Sequence, residues 1–265
     1  MGAEQSATST ESAMTNRRPP LHLDWDVDLT VMVACYNEEE AIERTLDTLL
    51  EALDEVGCSF EILVFDDASK DRSVELIKAY QERHPQRPIE LIVNEVNTGL
   101  AQNYVEGAFR GRGRYYRMVC GDDVEPKETF VKVFSALGQA DLIVPYQVEC
   151  PGRPFHRRVL SKAFTAIVNG ITGNDIRYYN GLAVHRRYDV MRWHTDYRGF
   201  GFQADMVTRM LAQGVSYIQV PVTAHEREAG ESTALTTQNF LSVTHMLLDL
   251  SIRRVGKVLY GRSDD

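Results

Sequence analysis

Three short polar clusters in this chain have the residue types and spacing to do chemistry: Tyr36-Asn37-Glu38, Asp66-Asp67 followed by Ala68-Ser69-Lys70-Asp71, and Gly121-Asp122-Asp123. Each directly follows a short apolar run. Carboxylates gathered on one edge of a fold repel each other, so a compensating charge is needed there. A divalent cation with oxygen ligands supplies it, and Mg2+ or Mn2+ held by one or two carboxylates plus substrate phosphates is the common arrangement. One acidic pair after a strand is ordinarily a turn or a helix cap. Three such clusters in register are more than turns require.

The elements that must position these clusters follow from hydrophobic periodicity. Residues 29–35, 60–65, 89–93 and 115–120 are short apolar runs and read as buried strands. Between them, residues 39–56, 71–83 and 100–110 carry apolar side chains at helical spacing, and Gly57 stops the first. Strand and helix alternating at this spacing predict parallel βαβ units with helices on both faces of one sheet. Ligands of such sheets bind outside the carboxyl ends of the strands, where the three clusters fall. The second half is less regular, with strands expected at 141–148 and 215–222 and helices at 157–169, 204–213 and 237–258.

Composition bounds the reading. The chain has 265 residues, 43% apolar and 25% charged, enough for one large α/β domain or two small ones. A net charge of −9 argues against a nucleic-acid partner. Cys35, Cys58, Cys120 and Cys150 show no zinc or C-x-x-C spacing, so reduced thiols and a cytoplasmic setting are expected. The histidines show no metal-ligand spacing either. The first 20 or so residues are polar, lack the apolar centre of a signal peptide and read as a disordered tail. No run approaches the roughly 20 apolar residues that span a bilayer, so any membrane contact is peripheral. The last helix offers such a contact: Phe240, Val243, Leu247 and Leu250 fall at helical spacing, Leu248, Ile252, Val255 and Leu259 widen the apolar face, and Arg253, Arg254, Lys257 and Arg262 make its end basic.

The runs VMVACYNEEEAIERTL, EILVFDDASKDRS and NTGLAQNYVEGAFRGRGRYYRMVCGDDVEP, in that order, resemble the family-2 glycosyltransferases of the GT-A fold over residues 28–135. The resemblance implies an α/β, GT-A-type fold, a mixed, mostly parallel sheet with helices on both faces. It implies nucleotide-sugar contacts at Ala34, Tyr36, Glu38, Asp66, Asp67, Asp122 and Gln203, and Mg2+ or Mn2+ ligands at Asp122 and Asp123. The runs RRVLSKAFTAIVNGITG, GFGFQADMVTRMLAQGVSYIQVPV and HEREAGEST are similar to dolichyl-phosphate mannose synthases and their polyprenyl-phosphate relatives. That likeness implies acceptor or phosphate contacts at Gln147, Arg157, Ser161, Arg227 and Ser232, and catalytic roles for Asp205 and Arg227, with Asp205 the base if the acceptor is a hydroxyl. Arginine suits phosphate because its planar fork makes two charge-assisted hydrogen bonds at once. Gly230 gives the segment around Arg227 the make-up of a lid.

The implied reaction is an inverting, metal-dependent transfer of sugar from a nucleoside diphosphate sugar to a polyprenyl phosphate at the membrane surface. A hydroxyl acceptor, lipid or saccharide, and a non-catalytic partner that keeps the fold are the alternatives. The implied organisation is a disordered tail over 1–25, a transferase domain over 26–236 with its nucleotide half at 28–135 and acceptor half at 140–236, and an amphipathic helix over 237–265. The chain departs from the family pattern in four places. Cys120 replaces the first aspartate of D-x-D, Ala34 replaces a proline, Pro145-Tyr146-Gln147-Val148 replaces Gly-Ser-Arg-Tyr, and Thr233 replaces a lysine.

Overall fold

An unbroken apolar run suits a strand covered on both faces. In the computed structural model, which describes residues 25–149, 155–193, 201–223 and 237–260, the first such run forms β1 (Val27–Cys35). It lies inside a seven-stranded sheet with β2 (Phe60–Asp66), β3 (Ile89–Val93), β4 (Gly113–Cys120), β5 (Leu142–Glu149), β6 (Val184–Arg186) and β7 (Tyr217–Thr223), in the order β3-β2-β1-β4-β6-β5-β7. β1 pairs in parallel with β2 and β4, β2 with β3, and β5 with β7. Only β6 is antiparallel, wedged between β4 and β5. The sheet is therefore mixed and mostly parallel, as expected.

Alternation along β1 divides the core. Leu29, Val31, Val33 and Cys35 face one layer, with α1 (Ile42–Val56), α2 (Ser73–Arg83) and α4 (Lys127–Phe134). Met32 faces the other, with α3 (Leu100–Arg110), α5 (Phe155–Thr172), α6 (Arg187–Trp193), α7 (Phe202–Ala212) and α8 (Thr237–Tyr260). α1 shows the logic. Ile42, Leu46, Leu49, Leu50 and Leu53 are buried on one face, a burial worth roughly 10 kcal/mol before chain entropy is subtracted. The helix ends at Gly57, whose φ of 71° lets its N–H return to the Leu53 carbonyl at 2.9 Å. It starts at Ile42, later than the periodicity suggests, because the Glu38 carbonyl takes the N–H groups of Ala41 and Ile42 in a preceding turn.

Three elements, α4, β6 and α6, have no counterpart in the sequence expectations. The last helix is also corrected in part. Its Met246 and Leu250 are buried in the domain core, so one apolar side of α8 is internal. The expected tail, apart from Trp25, lies outside the described residues. What matters for function is the switch at β1: the chain builds β2 and β3 to one side of it, then crosses to β4 on the other. A crevice opens at such a switch point, at the carboxyl ends of the strands.

Candidate active site

The exits of β1 and β2 are laced together by hydrogen bonds between side chains and backbone. The Asn37 N–H donates to Ser69 Oγ at 2.9 Å, and the Lys70 N–H donates to Asn37 Oδ1 at 2.7 Å. The Glu38 N–H donates to Ser73 Oγ at 2.9 Å and the Glu39 N–H to Asp71 Oδ2 at 3.0 Å. Asp71, which also accepts the Ser73 N–H at 3.0 Å, thus ties two loops. Its burial works to raise its pKa, but hydrogen bonds from Ser73 and the Glu39 backbone outweigh that and hold it below the usual value. Among the described residues, the non-glycine positions with positive φ are Asn37 (56°), Ala68 (66°) and Asp123 (54°), in the turns that leave β1, β2 and β4. Left-handed backbone in an alanine is costly, and its concentration on one edge is what functional loops show.

The aspartate pair after β2 divides its work. Asp66 is fully buried; its Oδ1 accepts the Ser69 N–H at 3.0 Å, and its Oδ2 has no partner. Asp67 is saturated. It accepts hydrogen bonds from the Thr98 N–H (2.8 Å), Asn94 Nδ2 (2.9 Å) and the Gly99 N–H (2.9 Å), which fixes the loop leading into α3. Partial burial pushes its pKa up, but these donors win and keep it below the ordinary carboxylate value. Tyr36 is exposed on the rim, and Ala34 closes β1 with its carbonyl accepting the Gly121 N–H at 2.8 Å. Glu38 is half-buried, with its Cγ 3.7 Å from where a Cβ on Gly121 would lie.

The two aspartates after β4 point to different places. Asp122 lines a cleft of about 300 Å³ together with Cys120, Gln147, Arg157 and Gln203. Asp123 does not: its Oδ2 accepts from Arg44 Nε at 3.0 Å, toward α1. Consecutive residues in this tight turn thus send their carboxylates apart, Asp122 to the cleft and Asp123 to Arg44. Gln147 comes from β5, Arg157 from the first turn of α5 and Gln203 from the start of α7, so four residues far apart in sequence meet at one site. Gln203 Oε1 is buried without a partner. Ser161, one turn beyond Arg157 on α5, is half-buried but not among the cleft walls.

Sequence reasoning missed several walls of this cleft, notably Glu125, Tyr178, Asn180 and Thr129. Glu125 stands on a buried base: it pairs with Arg117, whose side chain is fully buried, donates Nε to the Leu182 carbonyl at 3.0 Å and lies 5.3 Å from the Phe130 ring centre. Burial pushes the Glu125 pKa up, Arg117 pulls it down, and Asp122 adds to the rise. The other oxygen, Oε2, is buried with no partner. The signal available was the Gly-Asp-Asp-Val-Glu-Pro run itself, in which Glu125 follows Asp122 by three residues. Gly181 lets the opposite wall approach β5: a Cβ there would lie 2.2 Å from the Pro145 carbonyl oxygen.

Asp205 lies in the first turn of α7. Its carboxylate is fully buried, accepts from Arg209 Nε at 2.7 Å and pairs with Arg253 of α8. It is absent from the cleft walls. It joins α7 to α8. Arg227 and Ser232 lie outside the described residues. No group of three or more His, Cys, Asp or Glu among the described residues could hold a metal alone. The donor set does fit a metal shared with a substrate diphosphate: Asp122 offers one carboxylate, and Glu125 Oε2 is an unpartnered oxygen in the same cleft.

Comparison with known proteins identifies the family and the fold. The family Glycosyl transferase family 2 matches residues 30–194. The undecaprenyl-phosphate mannosyltransferase of Micrococcus luteus is 28% identical over 217 residues, covering 76% of this chain and 85% of its own. The polyprenol monophosphomannose synthase of Mycolicibacterium smegmatis is 27% identical over 216 residues, covering 76% of this chain and 79% of its own. Among solved structures, the glucosyl-3-phosphoglycerate synthase of Mycobacterium tuberculosis with phosphoglyceric acid superposes with a TM-score of 0.66 at 14% identity, over 85% of this chain and 80% of that one. A mannosyltransferase of Pyrobaculum calidifontis in complex with GDP-mannose and Mn2+ gives a TM-score of 0.55 at 18% identity, over 92% and 80%. These structures share the GT-A fold seen here. With more than half its length matched, this chain belongs to glycosyl transferase family 2.

Proposed function

We propose that the protein is an inverting, metal-dependent transferase that moves a sugar from a nucleoside diphosphate sugar to a polyprenyl phosphate at a membrane surface. One observation carries the reading: Asp122, on the donor side, and Arg157 with Gln147, on the acceptor side, share one cleft at the switch point of the sheet. Tyr36, Glu38 and Asp66 line the base and ribose end, with Asp67 holding their neighbouring loop. Asp122 would hold Mg2+ or Mn2+, and such an ion would neutralise the charge that builds on the leaving diphosphate. Arg157 grips the acceptor phosphate with its planar fork, and Gln203 orients the sugar. An acceptor phosphate oxygen forms the bond to the anomeric carbon as the bond to the diphosphate oxygen breaks, and the nucleoside diphosphate leaves with the electron pair. Because that phosphate is already ionised, no general base is needed. Arg227 and Ser232 add phosphate contacts from the segment after β7. The relatives named for undecaprenyl and polyprenol phosphates support this acceptor class. No helix among the described residues is long and apolar enough to cross a membrane, so the contact proposed is peripheral.

A second reading, transfer to a hydroxyl, is favoured by Glu125, a cleft carboxyl whose Oε2 has no partner and whose pKa burial raises. A thermal-shift panel of GDP-, UDP- and dTDP-sugars with and without Mn2+ identifies the donor, because a ligand stabilises the native state by mass action. Transfer is then compared on a short-chain polyprenyl phosphate and the matching polyprenol. Transfer to the phosphate alone supports the first reading; transfer to the alcohol alone replaces it with the second; no donor-dependent shift refutes both.

A further inference from the structure

Tyr104 stands on the inward face of α3 with Ala101 and Ala108. Its ring is held on three sides: ring centres lie 4.9 Å away in Tyr116, 5.4 Å in Phe202 and 6.3 Å in His185. A buried tyrosine ordinarily finds a hydrogen-bond partner for its hydroxyl. This hydroxyl has none among the described residues, although the residue is only 4% exposed. Burial pushes its pKa above the ordinary 10, so it keeps its proton and can donate. Gln203, at the start of α7, has the complementary need: its Oε1, an acceptor, is buried without a partner. Both residues are walls of one small hollow behind the cleft.

The hollow leaves about 10 Å³ for the centre of a water molecule, which is room for one. Its other walls decide what can fill it. Met118, Leu182, Phe202, Met206 and Val207 are apolar. His185 is uncharged, because full burial pushes its pKa down to about 3. Among the described residues no charged side chain lines the hollow, so an ion would find no counter-charge there. One water, accepting from Tyr104 and donating to Gln203, satisfies both groups. Gln203 is also a wall of the cleft, which shares Met118, Gly181 and Leu182 with the hollow. Its amide therefore sits at the border of the two spaces. The last torsion of a glutamine is broad, so an amide held at neither end turns freely, whereas one held at its oxygen presents its nitrogen in one direction. We propose that Tyr104 is a positioning residue, whose hydroxyl fixes the Gln203 amide through one buried water so that Nε2 faces the cleft. This deepens the sugar-orienting role proposed above for Gln203 and rests on it.

Two neighbouring tyrosines separate positioning from packing. Tyr116→Phe removes the hydroxyl that donates to the Tyr104 carbonyl at 2.7 Å, so it costs a buried hydrogen bond without touching Gln203. Tyr104→Phe keeps the ring and removes no hydrogen bond between described residues. Expected for Tyr116→Phe is a lower melting temperature with kcat/KM for transfer within about threefold of wild type. Expected for Tyr104→Phe is a melting temperature within about 3 °C of wild type and a kcat/KM about tenfold lower, the size of one net hydrogen bond. In a Gln203→Ala background, Tyr104→Phe should cost less than about twofold more, because the group it orients is gone. No loss in Tyr104→Phe, or a loss undiminished in that background, would overturn the proposal. Crystal structures supply a readout independent of turnover. The wild-type protein should hold a water within about 3.2 Å of both Tyr104 Oη and Gln203 Oε1, and Tyr104→Phe should lose the single orientation of the Gln203 amide. A hollow without that water, or an amide unmoved in the variant, sinks the bridge even in an active enzyme. A wild-type protein that transfers no sugar refutes the transferase reading instead, and the two crystal structures still decide the bridge.

Discussion

Asp122→Asn and Asp123→Asn should behave differently although the residues are neighbours. Asp123 contributes an ion pair to Arg44 at 3.0 Å, with side chains 61% and 26% exposed. An exposed pair of this kind is worth 0–1 kcal/mol after screening. Asparagine tolerates the left-handed backbone that Asp123 adopts at φ 54°, and the hydrogen bond from the residue 123 N–H to Thr45 Oγ1 does not involve the side chain. The Asp123→Asn protein should therefore melt within about 3 °C of wild type and keep its metal-dependent donor shift. Asp122 lines the cleft, and on the function proposed above removing its charge would take away a ligand to a metal whose stabilisation of the leaving group is worth several kcal/mol. A loss of about 3 kcal/mol lowers kcat/KM by about 10²-fold. Paired assays are thermal shift with donor across a Mn2+ titration and transfer rate at saturating metal. If Asp123→Asn loses metal-dependent binding while Asp122→Asn keeps it, the assignment built on the direction of these side chains is wrong.

Asp205→Asn should destabilise the fold by about 3 kcal/mol, the low end for a buried pair because Arg209 and Arg253 are each 31% exposed, and so lower the melting temperature by about 6–12 °C; the folded fraction should keep its transfer rate within about threefold, whereas a general base would lose activity at unchanged melting temperature. Ala68→Gly should relieve left-handed strain at φ 66° and raise stability by about 0.5–1 kcal/mol, net of the extra freedom glycine has when unfolded, which differential scanning calorimetry would read as a small upward shift. Asp67 has a folded pKa below its ordinary value of 3.8, so the unfolded chain takes up its proton first as pH falls. Its contribution is complete above that value and is lost as pH drops through the folded pKa, so urea midpoints measured from about pH 5 down to about pH 3 should fall less steeply in Asp67→Asn than in wild type.

The nucleotide half was legible because its elements are long enough to show a period. The strand over 89–93 and the helix over 100–110 match β3 and α3, and the runs at 29–35 and 60–65 fall within β1 and β2. The acceptor half was less so. β6 has only three residues and leads straight into the seven of α6, so neither displays a full pattern. α4 spans eight residues hidden behind the Pro126 turn. The family resemblance pointed to Asp122, Gln147, Arg157 and Gln203, and the fold brings these into one cleft. Direction was not legible. Sequence spacing says that Asp122 and Asp123 are adjacent, but only the turn geometry turns one into the cleft and the other onto Arg44. Glu125 was missed for the related reason that its significance comes from Arg117, a buried charge on the middle of a strand that reads as apolar.

The ion pairs of Asp205 have a structural consequence for how the cleft and α8 relate. α7 presents Gln203 to the cleft at its first turn, and two residues later Asp205 grips Arg253 from α8. The path from the outer helix to the cleft is thus a single buried ion pair and one turn of helix, with no flexible loop between. A carboxylate at full burial tolerates little displacement once its partners are fixed, because each ångström lost exposes an uncompensated charge in a poorly solvated place. The position of α8 and the orientation of Gln203 are therefore constrained together.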